Sequence, residues 1–122
     1  DIAPTLLQWA GVTRAADDGR LAFIGRSMAP YLAGETAKVH QAEDVFAIEF
    51  RGRRSYRQGS WKIVLTPPPE GAGRWELYDL ARDPNETRDL AARRPDILRR
   101  LEKGWNDYSQ QVNVILPERP GV

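Results

Sequence analysis

From Val45 to Leu80 apolar and polar residues alternate in four short runs, and from Pro95 onward the apolar residues recur every three or four positions. That change of period constrains the fold more than anything else in the chain. A repeat of two places successive side chains on opposite faces of a strand, whereas spacings of three and four line up one face of a helix. In the first run Phe46, Ile48 and Phe50 alternate with Val45, Ala47 and Glu49. Arg51-Gly52-Arg53 supplies a polar, glycine-bearing turn. RSYRQGSWKIVL (54–65) then reads as strand, turn, strand, with Gln58-Gly59-Ser60 at the tip, where Gly59 can take the positive φ a short hairpin loop requires. Trp61, Ile63 and Leu65 share one face, and WELYDL (75–80) is the fourth run. Strands are predicted over about 45–50, 53–58, 61–66 and 75–80.

Asp83-Pro84-Asn85-Glu86 suits a type I turn, Asp89 is placed to cap a turn at Leu90–Ala92, and Pro95 occupies a first helical position. Ile97, Leu98, Leu101, Trp105, Tyr108 and Val112 form one apolar stripe of about 100° and predict a helix over about 95–111. Gly104 inside it costs up to ~1 kcal/mol relative to Ala, which points to close packing. At the other end a short helix is expected over 1–11, capped by Asp1, with Pro4 in its first turn and Gly11 as its stop. Its Ile2, Leu6 and Trp9 lie on one face and need something to pack on, because an isolated helix this short is marginal. Residues 12–44 read as irregular, with a turn at Asp18-Gly19 and one helical turn at Pro30–Leu32. TPPPEGAGR (66–74) reads as a semi-rigid loop, and the tail from Val112 as extended. The fold class expected is α+β: a four-stranded antiparallel sheet packed against a C-terminal helix and preceded by a short N-terminal helix.

The 122 residues suit one domain or part of a larger one. Eighteen basic and 17 acidic residues leave a net charge of +1, so no global field draws the chain to nucleic acid or an anionic membrane. No cysteine is present, which excludes a disulfide, a Cys-based zinc site and a thiol nucleophile within these residues. No apolar run approaches the ~20 residues of a membrane span. His40, alone in KVHQAED, reads as a solvated loop residue rather than a ligand or base. Asp17-Asp18-Gly19 lacks the alternating carboxylates of a calcium loop and reads as a solvated turn. Arg51, Arg53, Arg54 and Arg57 among Phe50, Tyr56 and Trp61 would suit phosphates and stacked bases. On a sheet covered by a helix, however, aromatics at period two are core and the arginines its wet edge.

The segments DIAPTLLQWAGV, GRSMAPYLAGE, GRRSYRQGSWKIVL and WELYDLARDPNETRDLA, followed by a helix carrying Trp105 and Tyr108, occur in a telling order. Together they resemble the C-terminal part of the sulfatase family, most like the bacterial arylsulfatases of the alkaline phosphatase-like superfamily. The resemblance runs from Asp1 to about Pro117. Its most specific mark is the run Glu76–Leu90 following Arg54, Arg57, Gly59, Trp61 and Lys62. It implies an accessory subdomain at 45–122, with 1–44 the end of a large catalytic α/β domain and a connecting segment.

The resemblance further implies a parent that hydrolyses sulfate esters with a formylglycine, made from Cys or Ser in C/S-x-P-x-R, and a divalent cation, calcium being expected. This chain holds no such motif: Ser27 is followed by Met28-Ala29-Pro30, with the proline one place too late. No catalytic, metal-binding or substrate-binding residue is therefore carried over, and the segment alone is expected to be inactive. Its expected partner is the preceding catalytic domain, with loop 66–74 and the His40 region as candidates to border the substrate cleft. A soluble protein of the bacterial cytoplasm or periplasm is expected. Two alternatives are a stand-alone α+β interaction module, self-associating through Ile2, Leu6 and Trp9, and the same subdomain of a phosphonate or phosphodiester hydrolase.

Overall fold

A computed structural model describes residues 1–13, 23 and 25–117. The Asp17-Asp18-Gly19 turn lies outside them. The chain divides into two compact units, Asp1–Gln41 and Ala42–Val122.

In the second unit four strands, β1 (Val45–Phe50), β2 (Arg53–Gln58), β3 (Trp61–Leu65) and β4 (Trp75–Asp79), pair antiparallel in sequence order. Arg51 and Gly52, both at positive φ (53° and 83°), close the first hairpin, the geometry that matches the twist of paired strands. Glu49 Oε1 accepts the Gly52 N–H at 2.7 Å. Gly59, at φ 62°, closes the second. The register aligns Ala47, Tyr56, Ile63 and Leu77 in one row across the sheet. A helix (Pro95–Gln111) lays Ile97, Leu101 and Trp105 over that row, and Ile63, Leu77 and Leu101 are fully buried. The Trp105 ring meets Trp75 edge-on, with centroids 5.9 Å apart, and Tyr108 at 6.1 Å.

Gly104 explains itself here. A Cβ at this position would stand 2.5 Å from Tyr56 Oη and 2.6 Å from its Cζ. Alanine improves helix propensity by up to ~1 kcal/mol but forces the Tyr56 ring aside, which costs about 1–3 kcal/mol. Gly104→Ala is therefore expected to lower the midpoint of thermal unfolding; a raised midpoint would show that the ring yields freely.

The opposite face departs from the sequence expectation. Phe46, Ile48 and Phe50 do not point into the core; they are 46%, 65% and 63% exposed, and the smaller Val45 and Ala47 pack beneath the helix. Register decides this, because Ala47 is the residue opposite buried Tyr56. Loop 66–74 is also more compact than expected. Gly71 and Gly73 N–H donate back to the carbonyls of Pro67 (3.1 Å) and Thr66 (3.0 Å), and the Pro68–Pro69 bond is cis.

The first unit holds α1 (Ile2–Trp9) and α2 (Ala29–Leu32), so the C-terminal helix is α3. One correction arises: the Asp1 side chain does not cap α1. Ile2, Leu6 and Trp9 are all more than half exposed, and Thr5 is the buried residue of α1. Thr5 Oγ1 donates to the Asp1 carbonyl (2.7 Å) and accepts the Met28 N–H (2.8 Å), fastening the chain before α2 to α1.

All three helices stop in the same way. The residue two past the last helical one is left-handed (Gly11, Gly34 or Asn113), and the following N–H returns to the carbonyl five residues back, at 2.8–2.9 Å. This satisfies carbonyls that a helix end otherwise leaves open. The tail after Val112 is therefore turned at Asn113 rather than extended directly off the helix.

Candidate functional site

Among the described residues, the stretch from Arg74 to Ala91 is rich in side-chain hydrogen bonds, and several of its patterned residues have a task. β4 ends the sheet, and an end strand presents bare N–H and C=O groups to solvent or to other chains. Here the chain doubles back and covers them. The Leu77 N–H donates to Asp89 Oδ1 at 3.0 Å, and the Leu77 carbonyl accepts the Leu90 N–H at 2.8 Å. Asp89 Oδ1 also accepts the Ala91 N–H (2.8 Å), and its Oδ2 accepts Arg74 Nη1 (2.8 Å). The turn leading there is held by Asp83, whose Oδ2 accepts the N–H groups of Thr87 (2.8 Å) and Arg88 (2.9 Å) while Oδ1 accepts Thr87 Oγ1 (3.0 Å). Glu86, left-handed at φ 55°, reaches Lys62 Nζ at 2.6 Å on the face of the sheet away from α3.

The electrostatics follow from these bonds. The Thr87 and Arg88 N–H groups hold the Asp83 carboxyl below the usual carboxylate range. Burial works to raise Asp89, but the Leu77 and Ala91 N–H groups and Arg74 outweigh it, and the net shift is downward. Burial, then the charge of Glu76, pushes the Tyr78 phenol up to about 12, so it stays a donor to Glu76 Oε2 (3.3 Å) at neutral pH.

Beside this clip lies a cleft of about 400 Å³ walled by Trp61, Asp79, Arg82, Arg88, Arg93 and Arg94, among others. The Arg94 guanidinium stands 5.6 Å over the Trp61 ring, held by Asp96 at 3.0 and 3.2 Å. The walls offer guanidinium and carboxylate groups but no hydroxyl, imidazole or amine to act as a nucleophile–base pair. Among the described residues no three His, Asp or Glu side chains gather closely enough to hold a metal ion. No helix among them is long and apolar enough to cross a membrane.

The arginines singled out in the sequence do not form one patch. Arg53 and Arg57 lie on the outer face, Arg51 stands 5.4 Å over the Phe50 ring, and Arg54 lies on the α3 side. His40 is a partly exposed loop residue with a partner: its Nε2 lies 2.5 Å from Asp1 Oδ2, and Asp1 Oδ1 accepts the Arg26 N–H at 2.8 Å. These contacts lie within the first unit and pin its loop to the start of α1. Only the folded chain brings residues 39 positions apart together, so sequence spacing gave no sign of them.

The clip and its sheet define a class of object: a small α+β layer whose patterned residues hold backbone together. Comparison with known proteins makes this specific. No family model matches the chain. It is 33% identical over 120 residues to an uncharacterized sulfatase of Schizosaccharomyces pombe, a match covering 94% of this chain and 21% of that protein. It superposes on a chain solved in work on glycosaminoglycan metabolism by Bacteroides thetaiotaomicron, with a TM-score of 0.67, 18% identity, and coverage of 90% and 24%. A 2-O glycosaminoglycan sulfatase gives a TM-score of 0.61, 27% identity, and coverage of 91% and 24%. The chain thus spans about a fifth to a quarter of the length of the relatives it matches. The chain is similar over nearly its whole length to the C-terminal part of sulfatases.

Proposed function

We propose that this chain is the C-terminal part of a sulfuric ester hydrolase of the arylsulfatase type, in which it supports the catalytic domain and supplies no reacting group. The observation that carries this is the coverage. Sulfatases match nearly all of the chain, and each time the match takes up less than a quarter of their own length. A sulfatase would use a formylglycine and a divalent cation, calcium by the resemblance. The residues present do not fit either group: the chain has no cysteine and no Ser-x-Pro-x-Arg run for the first, and among the described residues no three His, Asp or Glu side chains gather for the second. Both groups are assigned to sequence preceding Asp1, and the first unit to the end of that catalytic domain. The exposed Ile2, Leu6 and Trp9 stripe would then be a face for that domain, and a face for self-association when the segment is expressed alone.

The test compares the complete protein with residues 1–122. Hydrolysis of an aryl sulfate is expected from the first and none above background from the second. Activity that copurifies with the 122-residue segment would overturn the assignment. Loop 66–74 is proposed to border the substrate cleft, as loops on a rigid sheet commonly set specificity. Exchanging it in the complete protein should change KM among sulfate esters, and an unchanged profile removes it from the cleft.

A further inference from the structure

The cleft beside the clip carries more positive charge than its own residues use. It encloses about 400 Å³, within the ~300–1,000 Å³ of small-molecule sites. Four guanidiniums line it, from Arg82, Arg88, Arg93 and Arg94, against the two carboxylates of Asp79 and Asp83. Both carboxylates are turned to their own turns. Asp83 spends Oδ2 on the Thr87 and Arg88 N–H groups and Oδ1 on the Thr87 hydroxyl. Asp79 Oδ1 accepts the Ala81 N–H at 3.2 Å, and its Oδ2 stands 3.8 Å from Arg82 Nε, beyond hydrogen-bond reach. Arg94 gives Nε and Nη2 to Asp96 and leaves Nη1 unbonded among the described residues. The guanidiniums of Arg88 and Arg93 donate to no described residue, and Arg88 acts on Asp83 through its charge alone. Two carboxylates do not balance four guanidiniums, so the cleft keeps a net positive charge in a chain that is close to neutral overall.

We infer that this cleft binds a small molecule carrying a sulfate or phosphate group, with Arg88 and Arg93 as its principal donors. A guanidinium presents its N–H groups as a planar fork that matches two oxygens of such a group at once, and charge-assisted bonds of this kind are the strong ones. The rest of the wall says that the group is carried on something larger. Trp61 and Leu90, both partly buried, add an apolar surface that a bare ion would leave uncovered, and the volume is that of a site for a whole small molecule. A nucleic acid would need a basic stripe longer than one cleft, and the net charge of +1 leaves none. The site holds and does not react, since its walls lack a nucleophile–base pair. The inference therefore does not depend on the proposed activity.

Titration calorimetry on the complete protein would compare glucose-6-sulfate, glucose-6-phosphate, inorganic sulfate and unmodified glucose. The variants are Arg88→Ala with Arg93→Ala, and Arg99→Ala on the exposed side of α3 as the control. Removing the two donors is expected to weaken both esters at this site by at least about tenfold, whereas the control binds like the parent. Glucose is expected to bind at least about tenfold more weakly than either ester. Ester binding that is unchanged in the double variant overturns the inference, and so does glucose binding as tight as the esters. Inorganic sulfate binding as tightly as the esters would give the cleft to the free ion and overturn the carried group. Melting midpoints check that the variants fold, and Arg93→Glu repeats the test with a single exposed residue by reversing one charge. Aryl sulfate hydrolysis is assayed on the same protein. Ester binding at the cleft without hydrolysis sinks the proposed activity alone, whereas hydrolysis without cleft-dependent binding sinks this inference alone.

Discussion

Replacing Trp105 by alanine is expected to remove a large share of the stability of the sheet unit and to lower its unfolding midpoint sharply. Trp105 is 3% exposed and joins α3 to the sheet through Trp75, with Tyr108 of the same helix beside it. Truncating a buried tryptophan costs about 3–5 kcal/mol, and the edge-on ring pair adds about 0.5–1.5 kcal/mol beyond the area it buries. Total stability for a domain of this size is about 5–15 kcal/mol. A loss of several °C in midpoint per kcal/mol follows, so a fall of at least about 15 °C is expected in calorimetry. Arg99→Ala, on the exposed side of the same helix, should stay within about 0.5 kcal/mol of the parent. A Trp105→Ala protein that melts like the Arg99→Ala protein would mean that α3 is not what holds the sheet.

Asp89→Ala should be the most damaging change among the polar residues. It removes the acceptor of the Leu77 and Ala91 N–H groups together, and Leu77 is fully buried, so its N–H has no water to turn to. An orphaned buried donor costs about 1–3 kcal/mol. Asp89→Asn can keep a carbonyl oxygen where Oδ1 stands and should lose less. The pair also carries a pH signature. The folded-state carboxyl titrates below its ordinary value of 3.8, so the stability it contributes is fully present above that value and is lost as pH falls through the lower folded-state pKa. Acid unfolding followed from pH 5 downward should therefore be shallower for Asp89→Asn than for the parent. Identical acid limbs would remove Asp89 from the linkage.

Much of the sheet unit was legible because its period is simple. The turns at Gly52 and Gly59, the stripe Ile97/Leu101/Trp105 and the tight place at Gly104 all follow from residue type and spacing. What sequence could not decide was which half of an alternation faces the helix. Both sets in β1 contain apolar residues, and the larger set, Phe46, Ile48 and Phe50, looks more like a core than Val45 and Ala47 do. Only register against Tyr56 settles the question. The clip was half visible: Asp89 as a local cap to Ala91 follows from its two-residue spacing, but its bond to Leu77 spans 12 residues. Thr5 and the His40–Asp1 pair were invisible for the same reason, since their partners lie 23 and 39 positions away. Asp83, Glu86 and Asp89, spaced at intervals of three, carry three separate tasks along one returning segment.

Because Asp89 and Leu90 occupy the hydrogen-bonding groups of Leu77, β4 is a closed end, and any further strand must join this sheet alongside β1. The returning segment thus acts as a built-in stop: no foreign strand can pair with Leu77 until Asp89 and Leu90 let go.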